Sequence, residues 1–310
     1  MREHVRPEEA LLAGYAVALV AIMAATRHWT FTSTMHVRFL DVFLVLALGI
    51  LLRGFVRARR EHRSSWQSLV RALPPALLVI RDFVPFLVAL VLYETLHDLT
   101  PLLRHDVVDA ALIAIDRHLL HVDAAVWMGQ FGSPWLTRAM VFCYLSYFFA
   151  PAILAALIYW ADRRQLFRDF LVSLCVTTLL GYTGYLLVPA VGPYIFQADL
   201  FPQRLPGGGL DSTASVISTI DALKGYARDC FPSLHTAHTT VVLAFAWRWS
   251  RVAFALYLPI ALGLYVSTIY LRMHYAVDVA AGFAVAAIAV AVGPRLERWW
   301  YRPAPAMLGA

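Results

Sequence analysis

The sequence predicts an all-α fold, a polytopic membrane helix bundle of about eight transmembrane helices, and three observations lead there. Of 310 residues, 60% are hydrophobic and only 15% charged, where an ordinary soluble domain carries roughly a quarter charged. The apolar residues come in runs close to the ~20 that cross ~30 Å of hydrocarbon. The basic residues, all arginine except Lys224, gather in short clusters between those runs. That placement points to membrane topology and excludes nucleic acid as a partner.

The spans are expected at 10–26, 39–56, 80–98, 135–160, 170–190, 233–249, 252–271 and 276–294. The first lacks a small-residue cleavage site and reads as an anchor rather than a signal peptide. The third and fourth contain Pro85 and Pro151, which are expected to kink helices that a bundle can tolerate. Arg81 and Asp82 read as an ion pair at the membrane edge. The segment 99–134 holds Val107–Leu120, expected to lie along the membrane surface, with Asp116 and Arg117 on a solvated face. The segment 191–232 is rich in glycine and proline, and loops of such length usually carry function. Trp299, Trp300 and Tyr301 form an aromatic belt at the inner interface. The chain divides into 1–75, two N-terminal transmembrane helices with a basic cytoplasmic loop; 76–296, a six-helix catalytic core; and 297–310, a tail.

Placing the N-terminus inside puts 15 arginines in inside segments against 8 basic residues outside. The positive-inside bias therefore sets both termini in the cytoplasm. Cys143 and Cys175 lie in apolar runs and Cys230 in a polar loop, so no disulfide framework is expected.

Chemistry concentrates between Lys224 and Asp278. Pro232-Ser233-Leu234-His235 opens one apolar helix, and a second returns to Arg272-Met273-His274-Tyr275-Ala276-Val277-Asp278. The first helix descends about 14 residues, roughly 21 Å, and the next climbs back, so His235 and His274 return to one leaflet. Asp278 stacks one turn from His274. Such a set suits phosphoryl transfer: one imidazole attacks, a carboxylate orients it, and the other imidazole protonates the leaving oxygen. The cations Lys224, Arg228 and Arg272, and the helix N-terminus at Ser233, offer contacts for the phosphate. Taken singly, the histidines read equally well as interfacial helix caps, and Asp278 as a carboxylate favoured by the helix dipole. His238, one turn below His235, reads as a packed, hydrogen-bonded histidine; the thiols look too distant to complete a metal site with it. No metal and no cofactor are expected.

Pro232-Ser233-Leu234-His235 and His274-Tyr275-Ala276-Val277-Asp278 resemble two motifs of the type 2 phosphatidic acid phosphatase superfamily. The His274-Tyr275 start and the preceding Leu271-Arg272 resemble the branch that contains inositol phosphorylceramide synthase. Arg81-Asp82-Phe83-Val84-Pro85-Phe86, Asp116-Arg117 and Val188-Pro189-Ala190-Val191-Gly192-Pro193 fit that branch more loosely. The resemblance covers roughly 80–294. It implies that His274 is the nucleophile, Asp278 its orienting carboxylate, His235 the general acid and Ser233 a phosphate contact. Two departures stand out. The superfamily's lysine seven residues before Arg-Pro is absent, and Ser267-Thr268 replaces its Ser-Arg pair. Lys224, Arg228 and Arg272 are the candidate replacements.

The expected activity is thus metal-independent transfer of a phospho-headgroup, phosphoinositol among the options, at the extracytoplasmic face of a bacterial plasma membrane. Its partners are a phospholipid donor, a lipid or polyol acceptor, and the bilayer. A lipid phosphate phosphatase is the alternative, and a lipid transporter a more distant one. The transporter is disfavoured because the ionisable groups gather at one leaflet and no paired broken helices mark two halves. The Asp-Gly-x-x-Ala-Arg signature of metal-dependent CDP-alcohol phosphotransferases is absent from the chain. Oligomeric state is not encoded in any motif.

Overall fold

The computed structural model describes residues 5–29, 65–201, 205–206 and 228–302, with 65–80 as backbone alone. Among them are ten α-helices and no strand: α1 Pro7–Thr26, α2 Ser65–Leu103, α3 Asp109–Leu120, α4 Ala124–Gly129, α5 Pro134–Trp160, α6 Arg164–Leu187, α7 Pro193–Phe196, α8 Leu234–Trp249, α9 Arg251–Tyr270 and α10 Ala276–Trp300. Six are long and apolar enough to cross a membrane: α1, the Arg81–Leu103 part of α2, α5, α6, α9 and α10. The chain is a polytopic helical membrane bundle.

Two expected spans differ or fall outside. The stretch 39–56 lies outside the described residues. The helix expected at 233–249 forms as α8, but its 16 residues cover only about 24 Å. α8 sits inside the bundle against α5, α6, α9 and α10, so it does not need the length of a lipid-facing span. α2 begins at Ser65 rather than near 80, because hydropathy detects only the apolar part of a helix. α5 runs through Pro151, and α9 and α10 continue through Pro259 and Pro294.

Small residues bring the helices together. Ala286 and Ala289 of α10 are fully buried against α6 and α8 beside Phe167, Phe170 and Phe245. Higher on α10, a Cβ on Gly282 would stand 2.5 Å from the Ser233 carbonyl oxygen. Only glycine lets α10 approach the first turn of α8 so closely, and that approach puts the two sequence motifs side by side.

One end of the bundle is tied by ion pairs. Arg168 of α6 binds the fully buried Glu8 of α1 through two 2.6 Å bonds and reaches Glu297 of α10 at 3.2 Å. Arg81 pairs with Glu9 at 2.5 Å, and Arg6 pairs with Asp82. Arg81 and Asp82 therefore do not pair with each other. Adjacent residues on a helix do not face one another, and both are used to bind α1. Trp300 Nε1–H donates to the Val5 carbonyl at 2.8 Å, joining α10 to the start of α1 at the same end.

Candidate active site

The site is assembled at the opposite end, where α8 begins and α9 gives way to α10. Ser233 is the N-cap of α8, its Oγ accepting from the Thr236 N–H at 3.3 Å. Its own N–H donates to the Asp278 carbonyl at 3.1 Å. Asp278 opens α10, where its Oδ2 accepts from the Tyr275 N–H at 2.9 Å. The carboxylate thus caps its own helix while its main chain anchors the other.

These contacts bring His274 and His235 together. His274 is buried, and its Nδ1–H donates to the Cys230 carbonyl at 2.8 Å, with Asp278 Oδ2 3.4 Å away. With Nδ1 committed, Nε2 is the free nitrogen, and it lies 3.3 Å from His235 Nδ1. His235 stacks on Tyr144 with ring centroids 4.4 Å apart and leans on Tyr147 at 4.2 Å. Asp278 Oδ1 is buried and has no hydrogen-bond partner among the described residues.

Cys230 belongs to the site. Its Sγ–H donates to Asp278 Oδ2 at 2.9 Å, and the sulfur lies 3.7 Å from His274 Nδ1. The thiols are expected from the sequence to lie too far off to complete a metal site with His235 and His238; Cys230 meets His274 instead. The fold brings this one in because the Cys230 N–H bonds the Ala190 carbonyl at 3.1 Å, drawing the loop back under His274. A thiol, an imidazole nitrogen and a carboxylate oxygen within 4.8 Å of one another are donor types that zinc accepts. Here each donor already serves another: the thiol and Tyr275 N–H bind the carboxylate, and the imidazole binds the Cys230 carbonyl.

α3 fixes this arrangement from outside. Asp116, 3% exposed, accepts from the Ala276 and Val277 N–H groups at 2.7 and 2.8 Å, capping α10. Asp109 Oδ1 accepts from the Gly192 N–H and the Tyr275 hydroxyl, both at 2.8 Å, and its Oδ2 from the Val191 N–H at 3.0 Å. Burial, followed by the Asp109 carboxylate, raises the Tyr275 phenol well above its ordinary range, so it stays a donor. Asp116 is therefore not on a solvated face; only Arg117 is, exposed and 3.5 Å from Asp123. Sequence reasoning also passed over Asp109. Its signal is the seven-residue spacing from Asp116, two turns along one face of a short helix.

Two of the three predicted cations, Arg228 and Arg272, are among the described residues. Lys224 lies outside the described residues. The Arg228 guanidinium donates to the Arg104 carbonyl. Arg272 has a positive φ of 64°, is mostly buried, and lays its guanidinium 4.1 Å over the Phe201 ring. Burial lowers its proton affinity. Neither arginine lines the cavity beside the histidines. His238 is hydrogen-bonded, with Nε2 2.9 Å from Thr178 Oγ1 and Nδ1 3.4 Å from the Tyr147 hydroxyl.

That cavity, about 320 Å³, lies between α2, α5, α6 and α8 and contains His235 and His274 in its wall. Pro85, Phe86, Ala89 and Leu90 line it at one stage of α2, and Tyr93, Glu94 and His97 at the next. From Pro85 to His97 it follows α2 for about 18 Å. Its size and apolar lining suit a lipid chain rather than a small polar ligand.

A family model for the PAP2 superfamily matches residues 110–292, more than half of the chain and both motifs. A phosphoinositol dihydroceramide synthase of Bacteroides thetaiotaomicron is 28% identical over 156 residues, covering 46% of this chain and 50% of that protein. The chain thus spans about half the length of this curated relative. No solved structure matches the chain. With the Pro-Ser-Leu-His and His-Tyr-Ala-Val-Asp segments meeting within one bundle, the chain belongs to the PAP2 superfamily.

Proposed function

We propose that this membrane protein is a metal-independent lipid phosphotransferase, moving a phospho-headgroup from a phospholipid donor to an alcohol acceptor through a phosphohistidine on His274. The observation that carries the reading is the orientation of that ring. Its Nδ1–H is bound by the Cys230 carbonyl, with Asp278 behind it, and its Nε2 faces His235 across 3.3 Å.

The donor phosphate displaces the hydrogen bond between the two imidazoles. His274 Nε2 attacks phosphorus, the bond from phosphorus to the donor's lipid oxygen breaks, and His235 gives that oxygen a proton. The positive charge developing on His274 is stabilised by the carbonyl and carboxylate at Nδ1. In the second half an acceptor oxygen forms the new P–O bond as the P–N bond breaks. The acceptor's proton returns to His235, and the electron pair returns to His274. The first turn of α8 offers backbone N–H groups to the phosphate oxygens. Ser233 Oγ accepts from Thr236, which leaves its O–H to donate to the same phosphate. Lys224, Arg228 and Arg272 are its proposed cationic contacts once substrate is bound.

The site lies at the extracytoplasmic face. The ion-paired end, with Arg6, Arg81 and Arg168, is the cytoplasmic one by the arginine bias. The relative's name supports phosphoinositol as the headgroup and a dihydroceramide as the kind of acceptor.

The test is lipid product analysis by mass spectrometry, using purified protein in detergent with chelator present. Phosphatidic acid, phosphatidylglycerol and phosphatidylinositol serve as donors, with and without ceramide, diacylglycerol or free inositol. A new phospholipid that needs both acceptor and His274 is the expected result. Acceptor-independent loss of headgroup or phosphate makes the protein a lipid phosphatase instead, and turnover lost in chelator and restored by magnesium overturns metal independence.

A further inference from the structure

The polar part of the cavity wall extends beyond the two histidines. Beside His235 and His274 its wall carries Asp229, Tyr93, Glu94 and His97. Asp229 Oδ2 accepts from the Tyr93 hydroxyl at 2.6 Å, which ties the carboxylate to α2. Its backbone runs directly into Cys230, whose carbonyl fixes His274. The Asp229 carboxylate thus shares a cavity wall with His274 and is tied to α2.

A carboxylate is a poor neighbour for a phosphate in a cavity shielded by lipid, because like charges there are little screened. It is a good acceptor for hydroxyl donors. A carboxylate has about four lone-pair sites, and Tyr93 takes one. Below this patch the wall turns apolar, with Ala89, Leu90, Phe86 and Pro85 following along α2 and Leu12 contributed by α1. The slot is therefore amphipathic along its length, acidic and hydroxyl-lined beside the histidines and hydrocarbon-like beyond.

We infer that Asp229, braced by Tyr93, receives the hydroxyl groups of the acceptor, and that the acceptor is an uncharged lipid alcohol whose chain lies along α2. The inference rests on the transfer reaction proposed above and names the residue that selects its second substrate. Asp229 binds a hydroxyl of the acceptor and so presents the reacting oxygen to phosphorus on His274. The proton of that oxygen goes to His235. The same carboxylate repels lipid phosphates, so donor and product phosphate stay on the histidine side.

The experiment compares Asp229→Asn and Tyr93→Phe with the unaltered protein. Phosphatidylinositol is the donor, ceramide and diacylglycerol are the acceptors, and dodecyl phosphate is an anionic competitor. Asparagine still accepts the Tyr93 hydroxyl, so the brace survives. Asp229→Asn is expected to raise the acceptor KM at least fivefold while the donor KM moves less than twofold. It is expected to lower the ratio of transfer to hydrolysis at least tenfold, and to tighten inhibition by dodecyl phosphate. A role as brace alone would lower thermal stability in Tyr93→Phe and leave that ratio unchanged in both variants, and this result overturns the inference. Equal changes in the two KM values also overturn it. The transfer reading fails separately: it falls if the unaltered protein shows no His274-dependent donor turnover.

Discussion

Replacing Asp116 by alanine tests whether α3 positions the site without touching substrate. The Asp116 carboxylate accepts from two N–H groups at the start of α10, at 2.7 and 2.8 Å. Hydrogen bonds to a charged group contribute about 1.5–3 kcal/mol each, so the alanine variant should lose at least ~3 kcal/mol. Asp116→Asn keeps one acceptor oxygen and turns an N–H donor toward the second site, so about half that loss is expected. Burial raises the Asp116 carboxyl above its ordinary 3.8, against the lowering pull of the Ala276 and Val277 N–H groups. Its contribution to stability is therefore full below pH 3.8 and falls as pH rises through the elevated folded value, because ionisation is what folding disfavours. Thermal unfolding in detergent across pH 3.5–7 should show that fall in the unaltered protein and a flatter profile in Asp116→Asn. Turnover should drop in the order Asn then Ala, in kcat more than KM, since Asp278 and His274 lose their register. An Asp116→Ala protein with unchanged melting temperature and kcat would refute the reasoning.

Further expectations follow from the same geometry. Gly192 has a φ of +86°, and a Cβ there would stand 2.7 Å from the Met273 carbonyl. Its ψ of 166° places it in an extended region open essentially to glycine alone, so Gly192→Ala should cost about 1–3 kcal/mol of backbone strain plus that clash, read as lower kcat and lower melting temperature together. Arg168→Ala leaves Glu8 and Glu297 buried without their cation, a loss of about 3–5 kcal/mol; a melting temperature equal to wild type would contradict the ion-pair role. Cys230→Ala removes one thiol bond to Asp278 but keeps the carbonyl at His274. About 0.5–1.5 kcal/mol, or roughly two- to tenfold in kcat, is expected, whereas a loss beyond a hundredfold would indicate a metal ligand.

The long helices are legible in the sequence because a lipid-facing span needs nearly unbroken apolar residues, and α1, α5, α6, α9 and α10 provide them. α8 forms where an apolar span is expected, and its shortness goes with its place among helices rather than lipid. The pairing of His235 with His274 is legible from helix periodicity and return length. The supports of that pair are not. Asp109 and Asp116 look like ordinary surface acids, and their burial depends on α3 folding back over the start of α10. Cys230 reaches Asp278 from a loop tied by its N–H to Ala190 and by its carbonyl to His274, contacts that no local pattern announces. Arg81 and Asp82 read as partners because they are adjacent, yet their counterparts lie more than 70 residues away on α1 or just before it. No sequence pattern signals that Arg272 lies over the Phe201 ring, because that contact joins segments about 70 residues apart.

The most direct measurement traps the intermediate. Protein is mixed with phosphatidylinositol carrying a labelled phosphate, quenched in alkali within one turnover, and digested for peptide mapping. The expected result is a base-stable, acid-labile label on the peptide that contains His274, absent from His274→Ala and discharged when ceramide is added. Turnover without any protein-bound label, or a label that persists in His274→Ala, would contradict transfer through His274.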